Sequence, residues 1–377
     1  MTVWGWSYGP WFEGPASDVG PATSRSVTWR LTGRHEASYT INGRVPQALA
    51  FTELVTDLWI TRNGFCLFRG RLGSVSDDIN QNTHTATVNF ADYRAVLDRR
   101  LLYDDDPFSY LSADQADIAW GLISTTQAHP GGDLSIIRGI GSITTVNRTR
   151  IIYDVSAKIG ESIDNLAKLQ NGFDWDITPN ANARDHHLTL DIWHPYRGND
   201  RGVTLDYGGL AVTVSRSVDP GSYANAIRSG GANSITAVHL EVPDIASRPE
   251  GRWDGTADDS DLASTADVTA AATQALADAS TLIPSYTVTM RSGAWRGPDH
   301  IWLGDLVRLR LTSGRLAVDT IYRVQEIQAT WSDSTDHDPS IVDSDGVTVA
   351  ATLGAIPPDR RWRLREFDNR LTSLERR

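Results

Sequence analysis

The chain has 377 residues, with 47 acidic against 35 basic side chains and a net charge of −12. This length allows two or three domains with a substantial core, and the acidic balance argues against a protein that binds nucleic acid by neutralising phosphates. The N-terminus lacks the basic and apolar regions of a signal peptide, and no run approaches the ~18 apolar residues of a membrane span. We therefore expect a soluble protein, made in a cytoplasm, that does not insert into a membrane.

Residues 1–24 are rich in glycine, proline and tryptophan and show no regular hydrophobic period. They predict an irregular arm that is ordered only where its tryptophans dock on a surface. The chain has 13 tryptophans, and tryptophan is favoured at interfaces as well as in cores. Trp4, Trp6 and Trp11 are therefore candidate contacts with partner proteins.

Residues 25–105 predict a first β-barrel domain. Asn63 and Gly64 stand between two runs of strand-forming residues, which is the strongest local signal for a β-hairpin. The stretch "HTATVNF" adds a third strand, because Ala86 and Val88 alternate with threonines. Three consecutive strands form a meander, the usual component of a small barrel or sandwich.

Residues 106–200 predict a helix–hairpin subdomain. Ser112 and Gln115 have the spacing of a capping box at the start of a helix. A second helix is predicted over 160–171, with Gly172 closing it. The stretches "FDWDI" and "LTLDIW" then alternate apolar and polar residues, which predicts a β-hairpin with one buried face.

Residues 201–358 predict a second β-barrel domain, with a loop and a helix inserted at 244–282. Its last third repeats the layout of the first meander, with short strands and a glycine-containing turn. The predicted fold class is therefore mainly β with inserted helices (α+β). It consists of two small antiparallel β-barrels plus the helix–hairpin subdomain.

Residues 359–377 predict a C-terminal amphipathic helix. Its apolar residues recur at steps of three and four, the spacing of a coiled-coil seam, and they are Leu364, Phe367, Leu371 and Leu374. Two heptads are too short to be stable alone. The helix either lies on its own domain or contacts symmetry mates or the next protein; in the second case these four residues form part of a partner interface.

The sequence shows no pattern that assembles a reaction centre. Asp299 and His300 lack a nucleophile on a G-x-S-x-G turn. Asp174 and Asp176 are interpreted as solvent-facing acids of one strand rather than as paired glycosidase carboxylates. HExxH, CxxC, EF-hand, P-loop and GxGxxG patterns are absent. Cys66 lies between apolar neighbours, as a buried inert thiol does. We expect no catalysis, no cofactor and no metal site.

Several long phrases together carry a family resemblance. They read "YTINGRVPQALAFTELVTDLWITRNG", "GFDWDI", "SVDPGSYANAIRSGG", "RPEGRWDG" and "GPDHIWLGD". Through them the chain resembles, from about residue 30 to 358, the minor tail proteins of siphoviruses that infect Actinobacteria. That family is similar to the tail-tip (baseplate) hub proteins of tailed phages.

The resemblance implies a structural protein of the virion tail tip, assembled in the host bacterial cytoplasm. It implies a homotrimeric ring in which each subunit carries two tube-like barrels, so that six barrels join a six-fold tail tube to a three-fold tip. The implied partners are a distal tail or tail-tube protein above, and downstream tail-tip or fibre proteins below. Genomic DNA would pass through the channel without specific binding, which the net charge of −12 suits.

Two other classes of function stay open. A receptor-binding or carbohydrate-binding tail-tip protein would use exposed tryptophans such as Trp193 or Trp295 as sugar platforms, and would bind host cell-wall material on its own. A cell-wall hydrolase is the weaker alternative, and zymography on host peptidoglycan would detect it.

The C-terminal segment gives a first testable prediction. Deleting residues 359–377 is expected to weaken assembly without unfolding the β domains, because the predicted helix is too short to contribute a core of its own. Light scattering measures the assembly and thermal unfolding measures the fold. A truncated chain that no longer folds would contradict this prediction.

Overall fold

The computed structural model describes residues 3–20, 22–102, 108–152, 156–169, 171–183, 185–231, 237–258, 264–282, 284–332 and 347–354. These residues form a mainly β fold with four α-helices and 21 strands. None of the described helices has the length and hydrophobicity that crossing a membrane requires.

Strands far outnumber helices along the chain. The strands are β1 (Trp4–Pro10), β2 (Ser17–Asp18), β3 (Ser24–Arg30), β4 (Glu36–Asn42), β5 (Thr56–Arg62), β6 (Phe65–Ile79), β7 (His84–Asp92), β8 (Phe108–Asp114), β9 (Ile136–Arg138), β10 (Asn147–Ile152), β11 (Asp174–Pro179), β12 (Leu188–Trp193), β13 (Asp200–Asp206), β14 (Ala211–Ser217), β15 (Ala226–Ser229), β16 (Val238–Glu241), β17 (Asp254–Thr256), β18 (Ser285–Met290), β19 (Leu306–Ser313), β20 (Leu316–Ser332) and β21 (Val347–Gly354). The helices are α1 (Tyr93–Leu97), α2 (Gln115–Ala128), α3 (Ile159–Ala167) and α4 (Thr265–Ala279).

One curled sheet of 13 strands carries the fold. Its strands run in the order β14-β18-β21-β20-β3-β4-β7-β6-β5-β1-β2, and β19 pairs with β20 and β13 beside this path. The helix–hairpin region adds the sheet β11-β12-β9 and the ribbon β10-β8, and α4 packs on the small sheet β16-β15-β17. The predicted mainly β class with inserted helices is confirmed at this level.

The large sheet contains the same strand order twice. The order β5-β6-β7-β4-β3 in its first half, here called unit A, matches β19-β20-β21-β18-β14 in its second half, here called unit B. The long second strand of each unit breaks register at the same place against its hairpin partner, between Leu72 and Ser74 in β6 and between Val324 and Glu326 in β20. The predicted repetition of the first meander is therefore present as strand topology inside one continuous sheet.

Strand β20 joins the two units. Its first half pairs with β19, its second half pairs along the same edge with β3, and its other edge pairs with β21. The contact with β3 runs from Glu326 opposite Arg30 to Ser332 opposite Ser24. A single strand of 17 residues therefore belongs to both halves of the sheet.

Tryptophans cover the seam between the units. Trp29 of β3 is fully buried and packs on Trp302 and Trp295 at centroid distances of 5.2 and 6.4 Å. Trp331 of β20 meets the ring of Trp4 edge-on at 5.0 Å. Much of the unusual tryptophan content is therefore core, because large rings fill the space where two sheet halves meet.

The N-terminal segment departs from the predicted irregular arm. Residues Trp4–Pro10 form strand β1, which pairs with β5 along seven residues, and Ser17–Asp18 pair back onto β1. Pairing with the free edge of β5 satisfies the backbone groups of this segment, which the lack of a hydrophobic period could not reveal.

Helix α2 also differs in detail from its prediction. It begins after Asp114, whose carboxylate accepts a hydrogen bond from the Ala116 N–H at 2.8 Å, and not at Ser112. The predicted C-terminal helix at 359–377 lies outside the described residues.

The tryptophan seam predicts a large loss of stability on truncation. Trp29→Ala should lower the free energy of unfolding by about 3–5 kcal/mol, because it leaves a cavity and removes the indole hydrogen bond to the Leu67 carbonyl. Trp253→Ala is the matched control, since Trp253 is 52% exposed, and should cost less than about 1 kcal/mol. Urea unfolding measures both; equal losses in the two variants would contradict the role of the seam.

Candidate functional site

A buried region rich in charged side chains lies where the β units meet the helix–hairpin region. His35 stands just before β4, Asp92 ends β7 and Asp176 lies in β11, and all three are buried. Their side-chain ligand atoms lie within 4.8 Å of one another. We call these residues, together with the neighbouring Asp174, Arg197 and Arg323, the buried junction.

The hydrogen bonds of His35 fix its tautomer. The backbone N–H of Arg30 donates to Nδ1 at 3.1 Å, so Nδ1 must hold a lone pair. Nε2 therefore carries the hydrogen and donates it to a carboxylate oxygen of Asp176 at 3.0 Å. The backbone N–H of His35 donates to Asp92 at 2.9 Å. Both ring nitrogens are used, so the imidazole acts as a neutral connector between two strands and β11.

In the described part of the chain, this is the one group of three potential metal ligands. Asp176 also accepts hydrogen bonds from the guanidinium of Arg197 at 2.7 Å and from the N–H of Ile177 at 2.9 Å. A divalent ion would have to displace these donors and would lie next to a guanidinium charge. The adjoining cavity of about 130 Å³ is smaller than the ~300 Å³ of typical ligand sites. The donor set therefore fits an ion-paired connection better than a metal centre.

Asp174 connects the junction to unit B. Its carboxylate accepts from the backbone N–H of Arg197 at 2.6 Å and pairs with the guanidinium of Arg323 in β20. The same guanidinium also donates to the backbone carbonyl of Arg197 at 2.9 Å. The helix–hairpin region is thus held to unit A through His35 and to unit B through Arg323.

The interpretation of Asp174 and Asp176 as solvent-facing acids is wrong. Asp176 is only 2% exposed and the side chain of Asp174 only 9%. Burial by itself would raise the pKa of Asp176, but the hydrogen bond from His35 and the charges of Arg197 and Arg94 hold it below its usual range. The alternating pattern correctly predicted strand β11. It also predicted that the polar face of this strand is exposed, whereas other parts of the chain cover it.

A second buried ionic cluster fixes the N-terminal segment. Asp57 is fully buried and accepts from Arg69 at 2.9 Å, from Arg71 at 3.2 Å and from the Tyr93 hydroxyl at 2.6 Å. Arg69 also donates to the backbone carbonyl of Trp11 at 2.6 Å, and Arg71 lies 4.6 Å from the centroid of the Trp11 ring. The cluster therefore holds Trp11 against unit A.

The three N-terminal tryptophans proposed as partner contacts all pack within their own chain. Trp6 is 4% exposed and lies in the main core. Trp4 stacks on Trp295 at 6.0 Å, and Trp4 and Trp11 keep part of their surface exposed. A partner role for Trp4 and Trp11 stays a prediction, whereas Trp6 offers almost no surface. The other proposed interface residues, Leu364, Phe367, Leu371 and Leu374, lie outside the described residues.

The stretch around Asp299 and His300 is a loop that places the rings of Trp295 and Trp302 against the main core. The N–H of His300 donates to the Gly297 carbonyl at 3.0 Å, which closes a tight turn at Pro298. The indole N–H of Trp295 donates to the Ile301 carbonyl at 3.0 Å. Partial burial, with nearby arginines, lowers the pKa of His300. The hydrogen bonds described above, from backbone groups and from the indole of Trp295, fix the shape of this loop.

The other reactive and aromatic candidates are covered by their own chain. Cys66 is buried, and burial raises the pKa of its thiol to about 12, so it remains protonated. Trp295 is 7% exposed, and the guanidinium of Arg197 lies 4.3 Å from the ring centroid of Trp193. Trp295 therefore presents no free ring face for a sugar platform, whereas Trp193 is half-buried with a guanidinium against its ring.

Sequence reasoning missed His35, Arg197 and Arg323 as partners of the two aspartates. His35 lies 141 residues from Asp176, and Arg323 lies 149 residues from Asp174. The usable signal was the placement of two acids between bulky apolar residues in "FDWDI", which occurs when the acids have buried partners.

Comparison with known proteins gives the fold and not a family. No family model and no curated protein matches the sequence.

The fold is that of phage tail proteins of known structure. It matches the tail protein from Neisseria meningitidis MC58 with a TM-score of 0.62 at 11% identity, over 95% of this chain and 99% of that one. It matches the prophage MuSo2 43 kDa tail protein from Shewanella oneidensis with a TM-score of 0.63 at 12% identity, over the same shares of the two chains. The prophage tail protein gp18 from Listeria monocytogenes EGD-e gives 0.56 at 11% identity, over 94% and 95%.

The buried junction predicts a pH-dependent cost for removing one charge. Asp176→Asn should lower the free energy of unfolding by about 3–5 kcal/mol at pH 7, because Arg197 is left without its buried carboxylate partner. The folded-state pKa of Asp176 is depressed, so its stabilisation is present above the unfolded pKa and is lost as pH falls. The gap between wild type and variant should therefore narrow below about pH 4.

Asp319→Asn is the matched control for this measurement. Asp319 pairs with Arg308 at the surface, where both side chains are more than 40% exposed, and its loss should cost less than about 1 kcal/mol. Urea unfolding from pH 7 to pH 3 separates the two cases. A gap for Asp176→Asn that equals the control, or that does not change with pH, would contradict the buried pairing.

Proposed function

We propose that this protein is a structural component of a phage tail and forms the hub at the tail tip, without catalytic activity. Solved tail proteins share its fold over nearly the whole chain, at TM-scores of 0.62 and 0.63. At 11–12% identity the similarity supports the fold alone. The proposed role therefore rests on the arrangement of strands in this chain.

The observation that carries the proposal is the repeated strand order. Units A and B have the same order of five strands and the same register break in their long strand. A homotrimer of such chains presents six similar units in a ring, and three copies of every other feature. This is the geometry that connects a six-fold tube to a three-fold tip, and in it each unit serves as one tube-type barrel segment.

The proposed neighbours follow from this position. A distal tail or tail-tube protein contacts the ring from above, and tail-tip or fibre proteins contact it from below. Genomic DNA passes through the channel. A net charge of −12 disfavours the counterion release that would hold DNA to the wall.

The alternative functions have less support. Sugar binding through Trp193 or Trp295 would require exposed ring faces; Trp295 is buried, and the guanidinium of Arg197 already lies against the half-buried ring of Trp193. A cell-wall hydrolase would require a nucleophile or carboxylate pair in an open cleft, and Asp174 and Asp176 are instead committed to ion pairs.

The test is the molar mass of the purified chain by light scattering, alone and after mixing with its tail neighbours. The expected result is a species with three copies of the 41.4 kDa chain, and electron microscopy of that species should show a ring with six similar lobes. A monomer under every condition, or a ring with a different number of copies, would overturn the hub proposal. Zymography and cell-wall binding of the same sample are expected to be negative.

A further inference from the structure

Besides the outer edges of β2 and β13, two strand edges of the large sheet, one in each unit, have no partner among the described residues. One is the outer edge of β14, which ends the strand path and whose residues Thr213 to Ser217 pair only with β18. The other is the outer edge of β6 beyond its pairing with β5, over Ser74 to Ile79. Open strand edges recruit further strands, because their N–H and C=O groups are unpaired.

We propose that these two edges pair with each other between neighbouring copies of the chain, so that β6 of one copy adds to β14 of the next. This inference rests on the proposed ring and names its closing contact. The occupant of each edge is therefore a second copy of this chain.

The equivalence of the two units defines the contact. After the register break, pairing resumes at Ser74 in β6 and at Glu326 in β20. Asp77 and Ala329 each lie three residues beyond that point, so they occupy equivalent positions. In unit A the pairing leads from β6 through β7 and β4 to β3, and in unit B it leads from β20 through β21 and β18 to β14. Strand β14 therefore corresponds to β3, and Arg216 occupies the position of Val27. Within one chain, β20 and β3 pair directly.

Transferring the β20–β3 register to the free edges gives a specific antiparallel alignment. Ala329 lies opposite Val27, so Asp77 lies opposite Arg216 of the next copy; Trp331 lies opposite Arg25, so Ile79 lies opposite Val214. The other pairs transferred in this way are Ser76 with Ser217 and Asp78 with Ser215.

The residues brought together are chemically complementary. Asp77 and Arg216 carry opposite charges, and cross-strand pairs of opposite charge stabilise a sheet whereas like charges destabilise it. Arg216 has no acidic partner in the described part of its own chain, and the nearest partner of Asp77 is the partly exposed His84 at 2.8 Å. Ile79 is 71% exposed in the single chain and would be covered by Val214.

Charge reversal tests the register. Asp77→Arg and Arg216→Asp, made singly, should each raise the concentration at which half the protein is trimeric by at least about tenfold, because two like charges then face each other. The double variant Asp77→Arg/Arg216→Asp should return to within about threefold of wild type. Asp254→Arg, an equal reversal on the exposed strand β17, is the control and should leave assembly unchanged. Circular dichroism and thermal unfolding of each variant report whether the chain itself still folds.

A cysteine cross-link tests the same contact by distance. Ile79→Cys/Val214→Cys and Asp78→Cys/Ser215→Cys place thiols at two consecutive pairs, where opposite Cα atoms in antiparallel sheets lie about 4.5–5.5 Å apart and a disulfide can form. Mild oxidation should link copies covalently in the double variants and not in the single ones, and Cys66 is buried.

The outcomes separate this inference from the hub proposal. A wild-type trimer with rescue by the double reversal and with cross-links supports both. A wild-type trimer in which neither reversal nor cysteine pairs have an effect overturns the β6–β14 contact, assigns these edges to another occupant and leaves the hub intact. A monomer alone and with its tail neighbours overturns both.

Discussion

The pairing of β20 with both halves of the large sheet is the constraint on which the architecture depends. Because β20 hydrogen-bonds to β19 and to β3 along one edge, the two units cannot rotate relative to each other without breaking the ladder. A slip of one residue would turn Ile327, Ala329 and Trp331 from the core to the opposite face. The tryptophan seam adds a packing penalty to the same slip, since interlocked rings tolerate little displacement.

The buried junction gives orientation to the helix–hairpin region. Burying Asp174 and Asp176 costs desolvation energy that their partners largely offset. The ion pairs therefore contribute little to net stability, and their main effect is to set the orientation of the helix–hairpin region. Their partners come from unit A through His35 and from unit B through Arg323. A wrong docking angle would leave buried charges unpaired, which is far more costly than a lost apolar contact. The region is therefore positioned by charges and not only by its own hydrophobic core.

The repeated strand order relates folding to assembly. One contact geometry, a long strand adding to an edge strand of the neighbouring unit, is already satisfied inside the chain between β20 and β3. The proposed ring uses the same geometry between chains. The residues differ in character accordingly: the internal contact carries Ala329, Val27 and Trp331, whereas the equivalent free edges carry Asp77, Arg216 and Ile79. An edge that must remain soluble before assembly is protected by charge.

The sequence by itself determined most of the local structure. The Asn63-Gly64 hairpin, strands β7, β11 and β12, and helices α2, α3 and α4 follow from turn chemistry and hydrophobic period, which depend on near neighbours in the chain. The tertiary structure alone decided that residues Trp4–Pro10 form a strand, because their backbone partners lie in β5. It also decided that Asp174 and Asp176 are buried, because their partners His35 and Arg323 lie more than a hundred residues away. It also merged the two predicted β regions into one sheet, since strand pairing over such distances leaves no local signature.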